Sequence, residues 1–204
     1  ELLPTVAVAR AVFDLDCLTE STCITASDPA MRTSDGGRTW HRLVTAGRSP
    51  NIDVSDVACP TATTCIGSLP YTGLVRTTDA GVTWTVVPDG PTTRAVTCPT
   101  STRCIGLDVR APSATFVTAS LDAGLTWTEP MQASIPLSAM ECGTTTFCAS
   151  ISNRSIATSV DGGVSWNIRT TLADDFPADL ACAGEAMCIA TSSSHVVVVT
   201  PTGV

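Results

Sequence analysis

The chain has 204 residues with a formal net charge of −8, and all 11 of its basic side chains are arginine. That balance excludes an electrostatic grip on nucleic acid or an anionic membrane, because phosphate binding needs clustered positive charge. Aromatics make up only 4% while Val, Thr, Ile and Ala abound, a composition that favours short strands and turns over helices. The longest apolar run, Val196–Val199, is one strand long and far short of the 18 or so residues of a membrane span.

Read in chain order, two motifs alternate. Cysteine pairs spaced C-x5-C occur five times, at Cys17/Cys23, Cys59/Cys65, Cys98/Cys104, Cys142/Cys148 and Cys182/Cys188. A turn sequence follows the first four pairs, as Ser34–Trp40, Thr78–Trp84, Leu121–Trp127 and Val160–Trp166. The period of about 40 residues signals a stacked or radial array.

The second unit serves as the template. Ile52–Cys59 alternates as strand a, Pro60–Thr64 is a tight loop and Cys65–Leu69 is strand b. Pro70–Gly73 then turns into strand c at Leu74–Thr78, and Asp79–Gly81 turns into strand d at Thr83–Val87. Four short antiparallel strands per unit, repeated radially, describe a blade of a β-propeller. The predicted fold is therefore all-β: a single domain over residues 1–204, five four-stranded blades, one disulfide per blade. The fifth unit stops short of its turn motif, and Glu1-Leu2-Leu3-Pro4 aligns with Thr85-Val86-Val87-Pro88 as though the chain began one residue after a tryptophan. The N-terminal strand is expected to complete the last blade and close the ring, removing two sheet edges.

Ten cysteines in five identical pairs predict an oxidising compartment, and hence a secreted or extracellular protein. Zinc ligands sit two to four residues apart, whereas five intervening residues suit a hairpin bridge, so no metal is expected. No signal peptide is visible, which makes Glu1 the expected start of a mature or trimmed chain.

The pattern S/T-x-D-x-G-x-T-W resembles the Asp-box, or BNR repeat, and through it the sialidase-like superfamily of Asp-box propellers. Thr33, Thr77, Ser120 and Ser159 fill the hydroxyl position, Asp35, Asp79, Asp122 and Asp161 the acid, Gly37, Gly81, Gly124 and Gly163 the glycine, and Trp40, Trp84, Trp127 and Trp166 the ring. The resemblance implies a structural role for these turns at the outer rim, away from any active site. It also implies sialidase features that do not match: there is no early F/Y-R-I-P motif, and the one tyrosine, Tyr71, lies in a predicted turn. The superfamily includes binding proteins as well as hydrolases, so the fold leaves function open.

No catalytic residue and no cofactor are predicted. Asp14, Asp16, Asp53, Asp56, Glu141 and Asp179, on or beside the innermost strands, are the carboxylates from which a glycosidase pair would come. His41, expected on strand d, and His195, opening strand c, build no triad. A ligand is expected on the face of variable loops. Its d–a connections offer Arg48, Asn51, Asp53, Asp89, Arg94, Asp174 and Asp175, and its b–c connections Asp28, Tyr71, Asp108, Arg110, Asn153, Arg154 and His195. Of these, Arg48, Asp53, Tyr71, Asp89, Arg94, Asp108, Arg110, Arg154 and Asp174 are the expected ligand residues. The expected function is a non-catalytic, lectin-like module with one asymmetric carbohydrate site. A protein-interaction propeller is the alternative and a glycoside hydrolase the second.

Overall fold

The computed structural model describes residues 11–44, 52–70, 72–111, 114–172, 175, 177–183 and 187–201. It is all-β, with five blades arranged as a propeller. Blade 1 holds β1 (Ala11–Cys17), β2 (Cys23–Asp28), β3 (Met31–Thr33) and β4 (His41–Arg42). Blade 2 holds β5 (Asp56–Ala58), β6 (Cys65–Leu69), β7 (Gly73–Thr77) and β8 (Thr85–Val86). Blade 3 holds β9 (Thr93–Thr97), β10 (Cys104–Ala111), β11 (Ala114–Ser120) and β12 (Met131–Gln132). Blade 4 holds β13 (Ala139–Cys142), β14 (Cys148–Ser152), β15 (Ser155–Ser159) and β16 (Asn167–Thr171). Blade 5 holds β17 (Pro177–Ala183), β18 (Met187–Ser192) and β19 (Val196–Val199), three strands among the described residues. The expected N-terminal closing strand lies outside the described residues.

Each cysteine pair joins the facing ends of strands a and b, as Cys17 opposite Cys23 and Cys142 opposite Cys148. All five pairs are bridged, with Cα atoms 4.0–4.1 Å apart. The loop each bridge closes is organised by a threonine two residues after its first cysteine. Thr61 accepts the Thr64 N–H at 2.9 Å, and Thr19, Thr100 and Thr144 do the same in their blades. Five disulfides fit an oxidising environment. Among the described residues no helix is long and apolar enough to cross a membrane.

The D-x-G-x-T-W turn repeats one hydrogen-bond pattern four times. In blade 2 the Thr77 hydroxyl donates to Asp79 Oδ1 at 2.7 Å and accepts the Gly81 N–H at 3.0 Å. Asp79 Oδ1 accepts the Thr83 N–H at 2.9 Å, Asp79 Oδ2 accepts the Thr83 hydroxyl at 2.6 Å, and the Trp84 indole N–H donates to the Gly81 carbonyl at 3.2 Å. Ala80 and Gly81 have φ of 59° and 81°, and only glycine takes that region without strain. The turn is tied back to the disulfide loop of its blade by the Ala80 N–H, which donates to the Thr63 carbonyl at 2.8 Å. Asp35 and Asp122 are each held down to about 2, chiefly by the hydroxyls of Thr39 and Thr126.

The core lies between blades rather than within them. Ile24 and Leu43 of blade 1 pack with Val75 and Trp84 of blade 2, and Ile66 of blade 2 with Val96 and Trp127 of blade 3. Ile105 of blade 3 meets Met140 and Trp166 of blade 4, and Ile156 of blade 4 meets Leu180 and Val199 of blade 5. Arginines add a polar stitch: Arg32 Nε donates to the Ala80 carbonyl at 2.6 Å and Arg76 Nε to the Ala123 carbonyl at 2.7 Å, each reaching the turn of the next blade.

Candidate functional site

Counting back from the first cysteine of each pair gives concentric rings around the axis. Three residues back stand Asp14, Asp56, Ala95, Ala139 and Asp179; one residue back stand Asp16, Ala58, Thr97, Glu141 and Ala181. These rings line a hollow of about 430 Å3 on the disulfide side and one of about 450 Å3 on the opposite side. Between the two rings Val57, Val96, Met140 and Leu180 turn into the blade seams and are buried.

Most of the axial acids are engaged in holding blades together. Asp16 Oδ2 accepts the Cys59 N–H at 2.7 Å and Asp56 Oδ2 accepts the Val96 N–H at 2.5 Å, so each caps the innermost strand of the next blade. Asp14 accepts the Val57 N–H more weakly, at 3.4 Å. Glu141 Oε2 accepts the Thr97 hydroxyl at 2.9 Å across the third seam. Asp179 differs: it accepts only the N–H of its neighbour Leu180, at 2.9 Å, and stays exposed.

Enclosure shifts these acids upward. Burial raises Asp16 against the opposing pull of the Cys59 and Cys17 N–H groups. Burial, then the charge of Asp14, pushes Asp56 well above the usual carboxylate range. Glu141 is pushed up to about 7, chiefly by burial, with Asp14 and Asp16 adding to it and the Thr97 hydroxyl opposing. A proton-bearing acid among carboxylates has the protonation a glycosidase acid needs. Here the same carboxylates are spent as acceptors between blades.

The mouth away from the disulfides is the asymmetric one. Four residues before each first cysteine come Phe13, Ser55, Arg94, Ser138 and Ala178, and all five line it together with Pro70. In blades 1, 3 and 5 the pairing register shifts across this position, between Val12 and Asp14, between Thr93 and Ala95, and between Pro177 and Asp179. Such bulges turn a side chain out of its ladder, and here they carry Phe13, Arg94 and Ala178 at the rim. In blades 2 and 4 a serine takes the place. Ser55 and Ser138 each direct both N–H and hydroxyl at one strand-b carbonyl, of Ser68 and Ile151. The result is one exposed aromatic, Phe13, and one cation, Arg94, over the acids Asp14, Asp56 and Asp179.

The sequence-predicted ligand residues divide accordingly. Arg94 lines the mouth, from within β9 and not from a d–a loop. Asp108 is a correction: it was expected on an exposed b–c loop, but β10 runs on to Ala111 and buries Asp108 completely. Asp53 and Asp89 are exposed on d–a connections and Arg154 on the β14–β15 turn, none of them lining the mouth. Arg48, Tyr71 and Asp174 lie outside the described residues, as does the side chain of Arg110. Phe13, Ser55 and Ser138 escaped the sequence reading, although the cysteine register places all three.

Asp175 and His195 meet on the rim of blade 5. The Asp175 carboxylate accepts the hydroxyls of Ser192 at 2.5 Å, Ser194 at 2.6 Å and Ser193 at 2.8 Å, which hold it far below the usual carboxylate range. His195 Nδ1 lies 2.8 Å from Ser194 Oγ and 3.3 Å from Asp175 Oδ2. One nitrogen facing both groups cannot relay a proton from serine to carboxylate, which needs the two ring nitrogens. The cluster fastens the β18–β19 turn to the preceding connection.

Fold and site together define a β-propeller with an acid-lined axis. No protein-family model matches the chain, and no curated protein matches it in sequence. Solved structures do match. The chain is similar to YCF48, solved bound to D1 peptide, with a TM-score of 0.69 at 13% identity over 98% of this chain and 66% of that one. It is also similar to an ancestral GH74 enzyme, with a TM-score of 0.65 at 17% identity over 96% of this chain and 31% of that one. The WD40 propeller domain of Doa1 gives a TM-score of 0.62 at 12% identity, covering 93% of this chain and 64% of that one. The chain thus spans about two thirds of YCF48 and about a third of the GH74 enzyme.

Proposed function

We propose that this chain is a secreted, non-catalytic Asp-box propeller of the sialidase-like type, which holds a cation-bearing protein segment in its asymmetric axial mouth. The observation that carries this reading is the make-up of that mouth. Asp14, Asp56 and Asp179 stand around one hollow with Arg94 as the one cation among its lining residues, and the bulged Phe13 stands over it. A lysine or arginine side chain of a ligand would meet carboxylates below and an aromatic face above, where cation–π attraction adds to charge. The similarity to a propeller solved with a peptide agrees with this reading.

Carbohydrate is the second reading, favoured by Phe13 as a single stacking platform. The four tryptophans offer none: each donates its indole N–H to the glycine carbonyl of its own turn. A repeated sugar site in every blade would need such a platform five times. The test is one experiment with two arms. The oxidised protein is screened against a peptide display library and a glycan array, each beside the Phe13→Ala/Asp179→Asn double variant. Enrichment of Lys- or Arg-bearing peptides that the variant loses supports the proposal. Glycan binding lost in the variant replaces it with a lectin, and equal binding by both proteins rejects the site.

A further inference from the structure

The edge and outer face of the fifth blade are open where the other four are covered. β19 pairs with β18, Val199 standing opposite Cys188, and no strand pairs with its other edge among the described residues. In blade 2, Thr77 stands opposite Cys65 in the same register, and there the outer edge is occupied: Val75 pairs with Val86 and Arg76 with Thr85. Val197 and Val198 are the matching positions of β19. Val196 and Val198 are 72% and 48% exposed, and Ile189 is 38% exposed although Ile24, Ile66 and Ile105 at its place are wholly buried. Across the same seam Leu15 is 52% exposed, where Val57, Val96, Met140 and Leu180 are buried. Apolar edges of this kind are covered in native sheets.

We infer that residues 1–4 of the same chain occupy this edge as the fourth strand of blade 5. The segment Glu1-Leu2-Leu3-Pro4 repeats the pattern of Thr85-Val86-Val87-Pro88. In the blade 2 register Glu1 pairs with Val198 and Leu2 with Val197. Leu3 then takes the place of Val87, which is buried and donates its N–H to the Leu74 carbonyl at 2.9 Å; the carbonyl in that place is that of Val196. The chain path agrees. A strand antiparallel to β19 ends on the loop face, where β1 begins at Ala11. Leu2 precedes Cys17 by 15 residues, between the 12 from Val86 to Cys98 and the 17 from Arg42 to Cys59. The two ends of the chain then share one blade, and its apolar face meets that of blade 1.

The test replaces Leu2→p-benzoyl-phenylalanine in the oxidised full chain, followed by irradiation, digestion and mass spectrometry. Intrachain cross-links to Val196–Val199 are expected. Cross-links to any other segment, or between chains, overturn the inference and give the edge to another occupant. Hydrogen exchange on the unmodified chain is the independent readout. Amides of Val196–Val199 are expected to exchange at least about tenfold more slowly than in a Leu3→Asp variant that keeps the exchange protection of blades 2–4. Equal rates in the two proteins overturn the inference as well.

Discussion

Glu141→Gln is expected to stabilise this protein at pH 8 and to change little at pH 4. The folded carboxyl titrates at about 7 instead of its ordinary 4.5, first because the blades withdraw water from it and then because Asp14 and Asp16 repel its charge. In the unfolded chain the acid ionises near its ordinary value. Between those pH values the folded form keeps a proton that the unfolded form has lost. Stability is therefore full below about 4.5 and declines as pH rises through about 7. At about 1.36 kcal/mol for each tenfold, the gap amounts to about 3 kcal/mol. Water in the channel still reaches part of this side chain and trims the figure toward about 2 kcal/mol. For a chain of this size that is a Tm difference on the order of 6 °C. Glutamine keeps an oxygen for the Thr97 hydroxyl and carries no charge. Thermal unfolding from pH 5 to 8.5 should show the wild type losing Tm with rising pH and the variant losing less. Asp16 and Asp56, raised for the same reason, leave a residual slope of the same sign. A Gln variant less stable than wild type at pH 8, or a wild type that gains stability between pH 5 and 8, would refute the reasoning.

The turns give a second set of expectations. Gly124→Ala places a Cβ 2.5 Å from Ile66 Cγ1 at φ 80°, and overpacking plus left-handed strain should cost about 3 kcal/mol. Gly36→Ala, with nothing nearer than 3.8 Å, should cost only about 1 kcal/mol, and equal Tm losses would show that the seam has slack. Asp122→Ala removes the acceptor for the Thr126 N–H and hydroxyl, an exposed site worth about 1 kcal/mol. Because that carboxyl is held at about 2 against an ordinary 3.8, its contribution is present above pH 4 and fades toward pH 2, so urea midpoints of variant and wild type should converge in acid. Arg76→Ala breaks the stitch to the Ala123 carbonyl between blades 2 and 3 and should lower stability by about 1–2 kcal/mol in the same assay, whereas Arg38→Ala, which bonds only within its own turn, should be nearly neutral.

Much of this architecture was legible because the cysteines and the D-x-G-x-T-W turns fix register locally. Strand b begins at its cysteine in the first four blades, and each turn glycine sits at the left-handed φ that its sequence anticipates. Strand d was over-extended, since Thr83–Val87 shrinks to a two-residue β8 once the turn claims Thr83 and Trp84. Asp108 misled because its charge suggested a loop, while β10 outlasts strand b of the other blades and carries it inside. The axial acids were visible as residues near the axis. That they cap the next blade's N–H groups depends on blade-to-blade spacing, which no single repeat encodes. The bulges that turn out Phe13 and Arg94 are likewise a property of paired strands, invisible in either strand alone.

The axial mouth as the binding site is tested most directly by isothermal titration of one library-selected, lysine-bearing peptide into three proteins. These are the wild type, an Asp179→Asn/Phe13→Ala variant of the mouth, and a Thr63→Ala variant on the disulfide side. The account predicts one site per chain, an affinity at least about tenfold weaker in the mouth variant, and no change in the Thr63 variant. Unchanged affinity in the mouth variant, or several equivalent sites per chain, would contradict it.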